Sequence, residues 1–239
     1  MVEHWHVGCS GWSYKHWRGD FYPEDLPQRA WFEHYAGQFD TVEINSTFYR
    51  LPSSATVQKW ADEAPRGFKF AIKASQFITH YHRLQDSDGA LKKLFDRMEP
   101  LGAHEGPILY QLPERFERDD ERLSAFLHSL PSHHHHAMEF RHESWWTDEV
   151  FELLRKRHVA FVMFSMGKTQ TPVVATSAHA YVRFHGPQKY RGGYETDDLR
   201  WWRDQLGSLD ASNAWVYFNN DAGGHAPKDA RALLELLHG

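Results

Sequence analysis

The chain has 239 residues, with 27 Lys and Arg against 32 Asp and Glu, a net charge of −5 at pH 7, and 15% aromatic residues. The acidic balance excludes a constitutive nucleic-acid coat, although it leaves room for a local basic pocket. The aromatic content excludes disorder over most of the length, and the single cysteine, Cys9, excludes an internal disulfide or a Cys-based zinc site.

Residues 1–7 carry Glu3, His4 and His6 and no apolar signal core. The longest apolar run, 159–164, is far too short to cross a bilayer. A cytoplasmic protein is the expectation.

In chain order, a β-rich segment at 6–9 precedes a helical pattern at 28–39. Strand and helix then alternate: 41–46 and 53–64, 69–74 and 89–101, 107–112 and 119–130, 137–141 and 147–158. Residues 159–165 form the sixth strand pattern, followed only by Thr171-Pro172-Val173-Val174, so the helix there is short or missing. Strands at 180–185 and 215–220 complete the series, with helices at 196–209 and 227–237. The helical segments carry apolar residues at three- and four-residue spacing. Ser53 and Thr147 suit N-caps, Asp119-Asp120-Glu121 a first turn, and Pro227 position N1.

The strand starts are too far apart for hairpins and far enough apart for crossover helices. This predicts a single (β/α)8 TIM-type barrel domain over residues 1–239. A doubly wound sheet is the alternative, but Gly8-Cys9-Ser10-Gly11 lacks the Gly-rich phosphate-loop spacing.

In a barrel, alternate strand residues face the helices or the interior. Val42 and Ile44, Phe70 and Ile72, Met138 and Phe140, Val182 and Phe184, and Val216 and Phe218 suit the helix side. The same parity turns Glu43, Asn45, Lys73, Glu139, Arg141, Arg183, His185, Tyr217 and Asn219 inward, with Gln111 joining from the fourth strand and Asp221 just beyond the eighth. These lie toward strand C-terminal ends, where barrel enzymes hold their sites. A buried ion-pair network is the structural alternative; an apolar filling is often as stable, which weakens it.

Two loops suit anions: 185–194, with Gly186, Gly192 and Gly193, and 219–227, with Gly223, Gly224 and His225. Barrel enzymes often bind phosphate between these loops. The first loop carries Trp12, Tyr14 and Trp17, whose faces suit a sugar or a base, or a hydrophobic lid. The third adds Thr79, His80, Tyr81, His82 and Arg83. Glu43, Glu139, His185 and Asp221 are oxygen-rich enough for a divalent metal, but no His-x-x-x-His spacing supports one, so no metal or other cofactor is expected. The four histidines 133–136 read as a solvated loop.

Several ordered blocks resemble the YecE-like family. They are Gly8-Cys9-Ser10-Gly11-Trp12-Ser13-Tyr14, Phe39-Asp40-Thr41-Val42-Glu43-Ile44-Asn45-Ser46-Thr47-Phe48-Tyr49, Phe70-Ala71-Ile72-Lys73-Ala74, Ile78-Thr79-His80 and Tyr110-Gln111-Leu112-Pro113. Glu139-Phe140-Arg141-His142, Tyr181-Val182-Arg183-Phe184-His185-Gly186, Phe218-Asn219-Asn220-Asp221 and Gly224-His225-Ala226-Pro227 extend the match over nearly the whole chain. The resemblance implies a TIM-type barrel and supplies no settled activity. That barrel is similar to the endonuclease IV and xylose isomerase group, an analogy of fold that suggests phosphodiester or sugar chemistry.

The leading expectation is an enzyme acting on a phosphorylated or sugar-like small molecule. Glu139 is its general acid or base, Glu43 its second carboxylate, and Lys73 stabilises developing negative charge. Arg141, Arg183 and His185 hold an anionic group, with Asn45, Gln111, Asn219, Asp221, Trp12, Tyr14 and His225 lining the site. One alternative is a nucleic-acid-binding or phosphodiester-processing protein, on the aromatic first loop beside Lys15, Arg18 and Arg83. Another is a non-catalytic ligand-binding barrel. No membrane partner is expected.

Overall fold

The computed structural model describes all 239 residues. The strands are β1 His4–Cys9, β2 Thr41–Ile44, β3 Lys69–Lys73, β4 Glu105–Gln111, β5 His136–Glu139, β6 Ala160–Met166, β7 Thr169–Gln170, β8 His179–Phe184 and β9 Asn213–Phe218. The α-helices are α1 Trp31–Ala36, α2 Ser46–Tyr49, α3 Ser54–Glu63, α4 Asp88–Met98, α5 Asp120–Ser129, α6 Asp148–Lys156, α7 Thr196–Gly207 and α8 His225–His238. This alternation is that of a (β/α)8 barrel of TIM type. No helix follows β6. Instead β7 turns back antiparallel onto Ser165 and Met166, and Thr171 Oγ1 accepts from Phe164 N at 2.9 Å.

Helix ends follow local chemistry. Ser53 caps α3 by accepting from Thr56 N at 3.1 Å, and Asp119 caps α5 by accepting from Arg122 N at 3.0 Å. Thr147 occupies the N-cap position of α6, yet its hydroxyl takes Arg118 Nη1 at 2.9 Å instead. Helix α8 begins two residues before Pro227, because Gly224 adopts φ 69° and turns the chain into the helix there. Pro227 is thus the third helical residue, still within the turn whose N–H groups lack intrahelical partners.

The chain forms two compact units, Met1–Glu43 with Met163–Gly239, and Ile44–Val162. In the first, β9 lies between β1 and β8, all parallel, with Gly8 and Arg183 both paired to Tyr217. Phe184 packs on Trp202 of α7 and on Phe218, with ring centroids 5.3 and 4.7 Å away. The loop after β1 contributes Trp17, Phe21 and Tyr22 to the core, where Tyr22 stacks on Trp31 of α1 at 4.8 Å. Gly8 is required by space: a Cβ there would meet Thr41 O at 2.2 Å. Tyr35 of α1 ties the same two strands, accepting from Cys9 N and donating to Thr41 O.

In the second unit β3, β4, β5 and β6 pair in that order, all parallel. Their helix-facing residues are buried against rings and aliphatic chains: Phe70 against Trp60 of α3, Tyr110 against Phe126 of α5, and Phe140 against Trp145. Each such fully buried side chain contributes about 1.5–3 kcal/mol of hydrophobic stabilisation. Of the histidines 133–136, His133 and His135 are exposed as a solvated loop requires, and His134 and His136 are not. His134 stacks on Phe95 and pairs with Glu105 at 2.5 Å, while His136 is buried at the start of β5, its Nε2 donating to Pro131 O at 2.8 Å and its Nδ1 accepting from Tyr110 OH at 3.3 Å.

Candidate functional site

The inward-turned residues form a cluster in each unit. In the first, Glu43 at the end of β2 is wholly buried and accepts three hydrogen bonds: from Arg183 Nη2 at 2.7 Å, Ser10 Oγ at 2.7 Å and Tyr181 OH at 2.8 Å. Tyr181 and Arg183 are two apart on β8, so one strand delivers both donors to one carboxylate. Burial pushes the Tyr181 hydroxyl well above the usual tyrosine range, and Glu43 adds to that, so Tyr181 is a fixed donor. Below this layer Tyr217 OH bonds Thr41 Oγ1 at 2.8 Å.

His185 and Asn219 follow directly on β8 and β9, and Asn219 Nδ2 lies 3.1 Å from His185 Nδ1. Tyr190 meets His185 edge-on at 5.3 Å. Asp221 anchors the first loop: its carboxylate accepts from Trp17 Nε1 and pairs with His16 Nε2 at 2.9 Å. Trp12 is half-buried against Phe32, and half-buried Tyr14 donates to Ser10 O at 2.6 Å. The two glycine-bearing loops are bound to each other through Asp229 of α8, whose carboxylate accepts from Tyr194 N and Asn220 Nδ2. Asn220 also donates to Gly192 O at 2.8 Å. Gly186 serves this close approach, since a Cβ there would meet Asn220 Cβ of the other loop at 2.9 Å and Arg191 O of its own at 2.4 Å. His225 lies beside Gly193, 3.0 Å from where its Cβ would stand.

In the second unit three neighbouring strands end in Lys73, Gln111 and Glu139. Lys73 Nζ donates to Gln111 Oε1 at 2.9 Å and stands 4.3 Å above the Phe48 ring, a cation–π contact. Gln111 is paired in register with Glu139. Glu139 is wholly buried and accepts from Arg141 Nε, whose side chain is 3% exposed. Asn45 lies just beyond β2, and its buried Oδ1 has no partner. His80 sits on a π-helical turn, Phe77–Tyr81, with Thr79 Oγ1 2.9 Å from its Nδ1. No group of three or more His, Cys, Asp or Glu side chains converges as a metal ion requires.

The family model described as "Protein of unknown function DUF72" matches residues 6–239. The chain belongs to that family. YunF of Bacillus subtilis is 25% identical over 97% of this chain and 94% of its own length. YecE of Escherichia coli K12 is 34% identical over 48% of this chain and 42% of its own. Among solved structures, a DUF72 family protein of Thermotoga maritima is 27% identical, with a TM-score of 0.91 over 99% of this chain and all of that one. A DUF72 family protein of Enterococcus faecalis shares the fold at 18% identity, with a TM-score of 0.84 over 98% of this chain and 96% of that one. No helix of this DUF72 protein is long and apolar enough to cross a membrane.

Ser10, Tyr181 and Phe48 belong to these clusters and were absent from the expected site, and His80, named with the third loop, had no role there. Tyr181 was within reach of the parity rule, two residues before Arg183 on the same strand. Ser10 lies one residue beyond β1, where parity gives no direction. Phe48 and His80 sit on short helical turns whose facing no periodic pattern records.

Proposed function

We propose that this DUF72 protein is an enzyme acting on a small anionic molecule, phosphorylated or sugar-like, by acid/base chemistry carried by Glu139. One observation carries the reading: three adjacent parallel strands end in an ammonium, an amide that binds it, and a buried carboxylate held by a guanidinium. A buried ion pair adds little net stability compared with well-packed apolar side chains, so stability alone is a weak reason for it. Strand C-terminal ends are where barrel enzymes do chemistry. Glu139 exchanges the proton, Arg141 orients it, and Lys73 stabilises negative charge that develops on the substrate. In the first unit Glu43 is occupied by three donors, which suits it to fixing Arg183; Arg183 and His185 are the groups there that suit an anion.

Thermal stabilisation by inorganic phosphate, sugar phosphates, nucleotides, uncharged sugars and short DNA tests the reading, with each stabilising compound then followed by NMR for turnover. A phosphorylated or sugar compound that stabilises the wild type by mass action and is turned over supports it. Glu139→Gln then keeps the stabilisation and loses at least about 100-fold in turnover. Undiminished turnover in Glu139→Gln, or no stabilising compound in that class, overturns it. A second reading, nucleic-acid binding, is favoured by Tyr49 and Tyr81, which are 74% and 70% exposed beside basic residues Arg50 and Arg83. Salt-dependent stabilisation by DNA alone is its signature.

A further inference from the structure

We propose that Lys73, His80 and Arg83 form an anion subsite in the second unit, and that His80 takes up a proton when a phosphate-like dianion binds there. The proposal rests on the small-anion reading above and specifies where in that unit the negative group is held.

The geometry begins with one ring. Phe48 of α2 presents its face to Lys73 Nζ at 4.3 Å and meets the His80 ring edge-on at 4.9 Å. A strand residue and a loop residue thus converge on a single aromatic side chain. The Thr79 hydroxyl, wholly buried, lies 2.9 Å from His80 Nδ1 and fixes the ring, so Nε2 is the nitrogen left to face a ligand.

The backbone that carries His80 is unusual. Phe77–Tyr81 is a π-helical turn, a rare form found often at functional sites. Arg83 and Leu84 follow with φ of 47° and 71°, a left-handed conformation costly for residues bearing a Cβ. The turn is nevertheless firmly held: Leu84 is buried, its N–H donates to Ile78 O at 2.9 Å, and His82 N donates to Phe77 O at 2.9 Å. Strain held in place by packing fixes the backbone at Arg83, whose guanidinium stands 5.8 Å from the centre of the Phe116 ring.

The charges that act on His80 are both positive, Lys73 from β3 and Arg83 from the loop; from α2 it meets only the uncharged Phe48 ring. Burial first, then these two cations, hold its pKa below the ordinary histidine value. A bound dianion reverses the sign of the local field. It favours imidazolium, so the bound state keeps His80 protonated to a higher pH than the free protein does.

The test is the NMR titration of the His80 ring in the intact protein, assigned by its loss in His80→Asn. Inorganic phosphate is the probe, with chloride at matched ionic strength as reference. Phosphate raises the His80 midpoint saturably, by at least about half a pH unit. Arg83→Gln, at an exposed position, and Lys73→Met each reduce that rise by more than half, whereas His82→Asn retains it. A midpoint that phosphate leaves unmoved overturns the proposal. So does an equal rise in Arg83→Gln and Lys73→Met proteins that melt as the wild type does. The readout needs no turnover. An inactive protein whose His80 responds to phosphate therefore separates this site from the acid/base reading, and turnover with an unresponsive His80 refutes this site alone.

Discussion

Glu43 shows how one buried side chain is made tolerable. Removing a carboxylate from water costs several kcal/mol, and the cost is offset only when its lone pairs are filled. Here Arg183, Ser10 and Tyr181 fill them within 2.8 Å. Arg183→Met leaves the carboxylate buried without its cation and is expected to lose about 3–5 kcal/mol in urea unfolding. Replacing both partners, in Glu43→Gln/Arg183→Met, removes both charges and costs clearly less than the sum of the two single changes. A double change that costs the full sum would show that the two side chains do not act as a unit.

At the scale of an element, β5 carries an ionisable side chain at each end, His136 and Glu139. At its start His136 is 6% exposed, and burial, reinforced by its histidine neighbours, lowers its pKa to about 4. The unfolded histidine takes its proton near pH 6.5. Between these values the unfolded chain binds a proton that the folded chain refuses, so stability falls as pH drops below about 6.5. The loss from this residue reaches about 3 kcal/mol at pH 4. His136→Gln removes the titration, and its urea midpoint is expected to decline less between pH 6.5 and 4 than the wild type's; parallel declines would contradict this. His136 also marks where the sequence misleads. Four consecutive histidines carry no apolar signature, yet the strand pairing of Ile108 with His136 draws the last of them inside. The strands themselves were legible because both faces are buried and the residues are correspondingly apolar or aromatic, as in Val182 and Phe184. The seven expected helices appear with ends within a few residues of those expected; α7 starts where expected, at Thr196, and α8 starts two residues before Pro227. The four-residue α2 and the π-helical turn were not legible, since one turn has no periodicity to read. These are the turns that bring Phe48 to Lys73 and His80, so the missed elements account for the missed Phe48.

For the whole molecule, histidine content sets the behaviour near neutrality. The net charge of −5 reaches zero once five of the 18 histidines are protonated. With ordinary histidine values that fraction is reached near pH 6.9. His80, His135 and His136 all have lowered pKa values, each chiefly through burial, and do not share in the early uptake. The other histidines must supply the same five protons, which moves the crossing to lower pH. The raised pKa of Asp229, caused first by burial, acts in the opposite direction by at most one charge. Burial thus moves the crossing in both directions at once. Electrophoretic mobility is expected to reverse sign between about pH 6 and 7, and solubility to pass through its minimum there. An anion bound at basic side chains adds negative charge and shifts that reversal to lower pH. Measuring mobility with and without phosphate at constant ionic strength reads the net charge carried by the bound anion, less any proton taken up with it. A reversal that phosphate leaves in place would mean that no such anion is held at this pH.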